Sequence, residues 1–423
     1  MVRPLAIGSA GVLVLALIAL PGWIALNRGD APAPDDRDLR AEPPRAGAEN
    51  GYDHFEAAAR AARLPHDAAT WNRFHAFRAG EVWEPAWISE LVARNASATA
   101  ELRAGLASRA FAFAPRDRAR DDRVATLFRV QQLIALAGAQ ARILLREGRT
   151  RDAIDLASLG LRAGKRLSGA DDVDLFGLSM AIAFQTLSLL DLEHAARSAR
   201  LAPDVALDLG ALLESTRWRA EDWQRAWGLE YERSRSGLDA LGTAGANGGT
   251  WDGGFESALL PRAYRWQPNR TAASLAELYR EQRRKSALFC ADALPGRGGT
   301  EFAPPSRFAP NALGRAAIAA LRARNFDQFQ LRRCALETHA SLVEALIGAK
   351  AYSDAEGALP ERLADLVPRY LEALPLDRYD GAPLRYARAL PAVYSVGEDF
   401  ADAGPGAAPS LDDPRAPGLS LGF

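Results

Sequence analysis

Three tryptophans near the middle of the chain, with acidic residues close by, form the pattern that most suggests chemistry. Trp218, Trp223 and Trp227 follow one another at steps of five and four residues. The acidic side chains among and just after them are Glu221, Asp222, Glu230 and Glu232. Glycosidases place two carboxylates beside the scissile bond and stack aromatic rings on sugars. The pattern fits a substrate-binding surface on the three tryptophans, but the favoured interpretation is a helix whose aromatic rings fill a core.

The cysteines and histidines offer fewer options. Cys290 and Cys334 either form one disulfide or lie apart as small buried side chains. Each lies on or beside a predicted helix next to a segment rich in Gly and Pro, and a bridge requires Cα atoms within about 7 Å of each other. There is no Cys-x-x-Cys pair, and His54, His66 and His75 lack the spacing of a metal site. We therefore expect neither a redox centre nor a histidine metal site.

One helix end carries residue types that could serve acid–base chemistry, namely Asp191, Glu193 and His194. Nothing in the sequence brings a nucleophile or a metal to them. The favoured interpretation is the solvated polar end of a helix.

The elements that position these residues begin with an uncharged apolar segment from Leu5 to Leu26. A membrane-spanning helix needs roughly 20 apolar residues, whereas the apolar core of a cleaved signal peptide usually has about 7–15. We predict an uncleaved signal-anchor that contacts the membrane through residues 5–26. The alternative is cleavage near Ala31 to Ala33, where small residues follow the apolar run.

Composition limits the function classes. The 423 residues include 52 basic and 53 acidic side chains, which gives a formal net charge of -1. Because the charges nearly cancel, the chain has no general positive field, and we predict no nucleic-acid partner. The length indicates two or three domains, since domains cluster near about 100–150 residues.

A helical pattern dominates the central part of the chain and is most regular from Val124 to Leu167, where two apolar stripes are joined by a turn at Glu147 to Thr150. Small residues stand at Ala141, Gly148, Ala153 and Gly160. This pair resembles one tetratricopeptide repeat, a family of antiparallel helix pairs of about 34 residues. The packing aromatics of that family are missing and no second copy follows. The resemblance implies one such hairpin inside an α-helical array.

The last fifth of the chain has a different pattern. A long helix is followed by Leu374-Pro375, an Asp380-Gly381 turn and two short candidate strands, Leu384 to Ala389 and Ala392 to Val396. This order resembles the C-terminal part of the major pseudopilins of type II secretion systems, in which a Tyr-Ser-Leu-Gly strand precedes a calcium-binding loop. Tyr394 to Gly397 reads Tyr-Ser-Val-Gly here. The prepilin cleavage motif is absent, so the chain is not a processed pilin subunit.

The pseudopilin resemblance implies a small α+β end with a short antiparallel sheet. It also places Asp399 and Asp402 where that family has calcium ligands. The residues after them lack the family's other acids, and calcium takes about six to eight oxygen ligands. Calcium is the only cofactor that the resemblance suggests.

These observations predict a mainly α protein in five parts. They are a signal-anchor transmembrane helix (1–26), a disordered tether (27–50), an α-helical body (51–324), a pseudopilin-like α+β segment (325–405) and a disordered tail (406–423). The layout is similar to that of bacterial membrane-anchored envelope proteins.

The predicted function is a non-catalytic scaffold or protein-interaction protein of the bacterial inner membrane, single-pass, with its body on the extracytoplasmic side. We expect another envelope protein as partner and a link to a secretion or pilus-like system. The alternative is an envelope hydrolase that acts on carbohydrate through the region from Trp218 to Glu232.

Overall fold

The computed structural model describes residues 21–25, 27–40, 50–113, 120–244, 261–294, 306, 308–322, 326–404, 410–411 and 413–422. Within these residues the protein is mainly α-helical and has a three-stranded antiparallel sheet near its C-terminus. This confirms the predicted fold class at that level. Of the predicted membrane segment, residues 21–25 are helical, and residues 5–20 and 26 lie outside the described part of the chain.

The helices are α1 Gly51–Ala61, α2 Ala68–Ala79, α3 Pro85–Arg94, α4 Ala96–Ala107, α5 Arg120–Arg146, α6 Thr150–Ala157, α7 Leu159–Ser168, α8 Leu175–Ser198, α9 Pro203–Thr216, α10 Ala220–Ala244, α11 Arg262–Arg265, α12 Pro268–Lys285, α13 Cys290–Ala293, α14 Ala312–Arg322 and α15 Phe326–Glu356. The strands are β1 Arg385–Ala387, β2 Ala392–Tyr394 and β3 Gly418–Ser420.

Local sequence explains where several helices start. The side chains of Asn50, Asp67 and Asp174 each accept a hydrogen bond from a backbone N–H in the first turn of α1, α2 and α8. Such caps satisfy N–H groups that have no partner inside the helix. Pro85 and Pro203 occupy the first turn of α3 and α9, where proline's missing N–H costs nothing.

The chain divides into two compact units, each built from separate stretches of sequence. The first takes its residues from Met1–Ala41, Trp227–Arg284 and Gly296–Phe326, and the second from Glu42–Ala226, Lys285–Pro295 and Asp327–Phe423.

In the first unit, residues 27–40 of the expected tether are held against helices. The hydroxyl of Tyr231 on α10 donates to the carboxylate of Asp36 at 2.6 Å. The guanidinium of Arg280 on α12 pairs with Asp38 at 2.7 Å. This stretch was expected to be disordered because its composition is too polar to form a core of its own. Its carboxylates instead bind side chains on the two helices.

In the second unit, α7 and α8 pack closely because a glycine faces the contact. A Cβ atom on Gly160 would lie 2.3 Å from the carbonyl oxygen of Phe184 and 2.6 Å from the hydroxyl of Ser188. The predicted hairpin is present as α5, a turn and a second helical stretch. That stretch is interrupted at Ser158, which separates α6 from α7.

Helix α8 is the one helix among the described residues that is long and apolar enough to cross a membrane. Within its most apolar window, 61% of the residues are buried inside the protein. A helix that is apolar on most sides and covered by neighbours is typical of a protein core.

The C-terminal sheet has the order β1-β2-β3, with both pairs antiparallel. Arg385 lies opposite Tyr394, and Val393 lies opposite Leu419. The hairpin of β1 and β2 agrees with the two strands expected from the sequence, although each is shorter. Strand β3 falls within residues 406–423, which were expected to be a disordered tail. The expectation failed there because short strands gain their stability from a partner and not from their own sequence.

A buried carboxylate organises the turn before the sheet. Asp377 is fully buried and accepts hydrogen bonds from the Ser395 hydroxyl at 2.8 Å, the Val396 N–H at 2.9 Å and the Tyr379 N–H at 3.0 Å. Arg385 of β1 pairs with the same carboxylate at 2.9 Å. A buried charge needs such partners, and here they connect the turn to both strands of the hairpin.

Candidate functional site

The site with the clearest chemical character is a cavity of about 290 Å³ in the second unit. It lies where the C-terminal ends of α2, α5 and α8 come together. Its lining consists of Phe77, Gly80, Trp83, Arg142, Leu145, Arg146, His194 and Ser198. A helix C-terminus carries a partial negative charge, which favours basic side chains at these positions.

A buried ion pair joins α2 to α8 close in sequence to the cavity-lining residues Phe77 and His194. Arg78 donates two hydrogen bonds to the carboxylate oxygens of Asp191, at 2.9 and 3.0 Å, and the Asp191 side chain is only 2% exposed. Gly138 of α5 makes room for this carboxylate, since a Cβ there would lie 1.9 Å from Asp191 Oδ2. Burial raises the pKa of Asp191, whereas the positive charges of Arg78 and Arg142 act to lower it.

The cavity has an excess of positive charge. Arg78 and Asp191 neutralise each other in their ion pair, whereas Arg142 and Arg146 both line the cavity, which leaves a formal charge of about two on its lining. The Nε of Arg142 is buried and has no hydrogen-bond partner in the described part of the chain. Burial also lowers the pKa of the Arg142 guanidinium. The eight described residues that line the cavity include no acidic side chain.

An aromatic stack forms one wall. The rings of Phe77 and Trp83 are nearly parallel, with centroids 5.1 Å apart. The guanidinium of Arg146 lies over the Trp83 ring, 3.7 Å from its centroid. Such a cation–π contact fixes the long side chain of Arg146 while leaving its N–H donors available. The wall therefore combines an apolar surface with the positively charged guanidinium of Arg146, whose position is fixed by the ring.

The remaining polar groups of the cavity are His194 and Ser198, one turn apart on α8. The Ser198 hydroxyl lies 3.4 Å from His194 Nε2. Burial lowers the pKa of His194 to about 4, with further lowering by the charges of Arg142 and Arg146. The imidazole is thus neutral at pH 7.

The Ser198–His194 pair is poorly suited to nucleophilic catalysis. A general base works best when its pKa is near the operating pH, and about 4 is far below it. The carboxylate on the same helix, Asp191, is engaged by Arg78 and does not orient the imidazole as a third catalytic group would. The arrangement is better suited to binding an anion than to bond cleavage.

The tryptophans expected to bind substrate are all buried, with Trp218 7%, Trp223 1% and Trp227 0% exposed. The rings of Trp218 and Trp223 pack on each other at 4.9 Å. In the first unit, Trp227 packs on Tyr279 and Phe326. No ring face of the three is open for a sugar to stack on.

Two of the acidic residues near these tryptophans, Asp222 and Glu230, are also engaged. Asp222 accepts from the Lys165 ammonium at 2.7 Å and from the Arg219 N–H at 3.0 Å, where it caps the start of α10. Glu230 pairs with Arg233 at 3.1 Å. Carboxylates used in this way stabilise helices and do not converge on a scissile bond.

Cys290 and Cys334 form a disulfide, with Cα atoms 6.3 Å apart. They are buried together with Tyr379 and Val396 in a small hydrophobic cluster. The bridge links α13 to α15 and lies under the C-terminal segment. Its position is structural, since no other reactive group faces it in this cluster of described residues.

The candidate calcium residues face arginines. Asp399 Oδ2 lies 3.6 Å from Arg415, and Asp402 Oδ2 lies 4.0 Å from Arg385. Over the described residues, no group of three or more His, Cys, Asp and Glu side chains is arranged to hold a metal ion.

No sequence pattern joins Arg142 and Arg146 with Trp83, because some 60 residues separate them along the chain. The local signal is a pair of arginines one turn apart at the C-terminal end of α5. The sequence places His194 at a polar helix end, but the cavity it faces depends on how α2, α5 and α8 pack.

Comparison with known proteins does not place this chain in a family. No protein-family model, curated protein or solved structure matches this chain.

Proposed function

We propose that the protein is a non-catalytic binding protein of the bacterial envelope, a membrane-anchored scaffold whose helical body engages another envelope component. Residues 5–26 act as the inner-membrane anchor and the body lies on the extracytoplasmic side. The uncharged apolar run supports the anchor. The disulfide between Cys290 and Cys334 supports an oxidising compartment, since structural disulfides persist there.

The observation that carries the binding role is the cavity at the ends of α2, α5 and α8. It combines uncompensated positive charge with an aromatic wall, which are features of recognition sites. Its histidine is too weak a base for efficient proton transfer. The buried tryptophans give no support to a carbohydrate hydrolase. The pseudopilin resemblance of the C-terminal segment supports a link to a secretion or pilus-like system.

The anchor is tested by fractionation of cells that carry the full-length protein with a C-terminal tag. We expect the protein to stay in the membrane pellet after alkaline carbonate washing and to be digested by protease added to spheroplasts. Recovery of a soluble form that begins near Asp35 would identify residues 5–26 as a cleaved signal.

The scaffold role is tested by photo-crosslinking in intact membranes, with benzoylphenylalanine in place of Trp83 at the cavity wall. We expect a discrete crosslinked species that disappears when Arg146→Gln is added. The control carries the probe at Leu390, which is exposed and lies on the C-terminal hairpin. Equal labelling at both positions, or no adduct at Trp83, would contradict the proposal.

A further inference from the structure

We propose that the cavity binds a small phosphate monoester, with its phosphate held by Arg142 and Arg146 and its organic part against the Phe77–Trp83 wall. This inference rests on the proposed binding role and names the chemical class of the ligand.

The charge of the cavity selects among anions. With Arg78 neutralised by Asp191, the guanidinium groups of Arg142 and Arg146 give the cavity a formal charge of about two. A phosphate monoester carries about -1.5 to -2 at pH 7, whereas a carboxylate carries one negative charge. A monoester therefore neutralises this group and a single carboxylate does not. Arginine is also well suited to phosphate because its planar donors can bind two oxygens at once.

The arginines are not needed to cap the helices. At the end of α5 the carbonyl oxygens of Ile143, Leu144 and Leu145 accept from the N–H groups of Glu147, Arg149 and Gly148. The last carbonyls of α5 are thus satisfied by backbone. The donors of Arg142 and Arg146 remain for a ligand, and the Nε of Arg142 is buried with no partner among the described residues. A buried donor without an acceptor costs free energy, and an oxyanion bound to the Arg142 guanidinium would offset part of this cost.

The neutral groups fit the same ligand. A neutral His194 can donate from one ring nitrogen, and the Ser198 hydroxyl can donate as well. Together with the two guanidinium groups they place donors on more than one side of the cavity, which suits a tetrahedral oxyanion. A volume of about 290 Å³ is at the lower end of the roughly 300–1,000 Å³ of small-molecule sites, which suits a ligand with a single ring. Phenyl phosphate is of this size.

The test is isothermal titration of the full-length protein in detergent micelles with phenyl phosphate, at pH 7.5 in a phosphate-free buffer. Benzoate, phenol and inorganic phosphate are titrated in parallel. We expect saturable binding of phenyl phosphate at least tenfold tighter than that of benzoate or phenol. Inorganic phosphate should bind more weakly than phenyl phosphate because it lacks the ring that contacts Trp83.

The variants are Arg142→Gln and Arg146→Gln, and each should weaken phenyl phosphate at least tenfold. Arg149→Gln is the matched control, since Arg149 is exposed just past the same helix and pairs with Asp152. Arg146 is exposed, so its variant keeps the test valid if Arg142→Gln fails to fold, and thermal melting reports folding of each. Benzoate binding as tightly as phenyl phosphate, or full affinity in the Arg146 variant, would overturn the inference.

A second readout separates this inference from the proposed function. Release of inorganic phosphate from phenyl phosphate is followed over hours, and none is expected. Turnover that depends on His194 would leave the ligand class standing and would show that the protein is not a non-catalytic binder. Binding without any crosslinked species from Trp83 would instead support the ligand class and contradict a partner at this cavity.

Discussion

His339 is a buried imidazole on α15 whose Nε2 has no hydrogen-bond partner among the described residues. Burial lowers its pKa from the ordinary 6.5 to about 4. The folded protein thus binds fewer protons than the unfolded chain between these values. His339 therefore leaves the free energy of unfolding unchanged above pH 6.5. As the pH falls toward 4, protonation of the unfolded chain at this residue lowers the free energy of unfolding, by about 3 kcal/mol at pH 4.

Replacing His339 by Leu should remove this acid sensitivity. We expect the loss of unfolding free energy between pH 7 and pH 4 to be about 3 kcal/mol smaller in His339→Leu than in the unmodified protein. Urea unfolding at the two pH values measures it. His66→Leu serves as control because His66 is exposed, and its pH dependence should match the unmodified protein. An unchanged acid loss in His339→Leu would show that other groups cause it.

How well the sequence predicts the role of a single residue differs strongly from one residue to another. The cysteine pair could be proposed because only two thiols exist, so that one pairing was open. The tryptophans illustrate the opposite case, since an aromatic beside a carboxylate looks the same in a cleft and in a core. Burial decides between them, and burial follows from tertiary packing.

At the scale of elements, the contact between α7 and α8 depends on Gly160. The change Gly160→Ala should destabilise the protein by about 1–3 kcal/mol, because a Cβ atom would meet the Phe184 carbonyl oxygen at 2.3 Å and force the helices apart. Thermal melting measures the effect.

The matched control is Gly210→Ala in α9. A Cβ atom there would meet nothing nearer than Glu344 Oε1 at 4.0 Å. Alanine is favoured over glycine inside a helix by about 1 kcal/mol, so this variant should be more stable than the unmodified protein. The two glycine substitutions are expected to have opposite signs, and equal effects would argue against the close contact of α7 and α8.

Elements with a strong local signal could be predicted. The α5 hairpin follows a repeating apolar stripe, and β1 and β2 come after the Asp380-Gly381 turn signal in two short runs typical of strands. Strand β3 and the packed residues 27–40 were missed for a shared reason. Each is a short polar or Pro-containing stretch, and each is fixed by partners far away in sequence: β3 by β2, and Asp36 by Tyr231.

At the scale of the whole molecule, the predicted domains follow one another along the chain, whereas the two compact units each combine three stretches. Composition and local pattern change along the sequence, but they carry no information on which distant segments share a core. Only long-range contacts define such units, and these contacts are made by side chains that look ordinary in sequence.

The disulfide has a consequence for how the chain responds to cutting. The stretch Gly296–Phe326 belongs to the first unit, and both Cys290 and Cys334, which flank it, belong to the second. The polypeptide between the two cysteines, with a sequence separation of 44, is therefore a closed covalent ring. By the chain-entropy estimate, closing a ring of that length stabilises the fold by roughly 4 kcal/mol.

A protein whose backbone is cleaved once between Cys290 and Cys334 should stay a single covalent species. With a site-specific protease sequence inserted after the exposed Ser306, we expect the cleaved protein to migrate as one band on a denaturing gel without reductant and as two with it. In the Cys290→Ala/Cys334→Ala variant the two fragments should separate under both conditions. Two bands without reductant from the unmodified cysteines would mean that the ring is open in the isolated protein. If the ring is closed, a single backbone break in this stretch leaves the two fragments covalently joined in an oxidising compartment, and the covalent link is lost only where the disulfide is reduced.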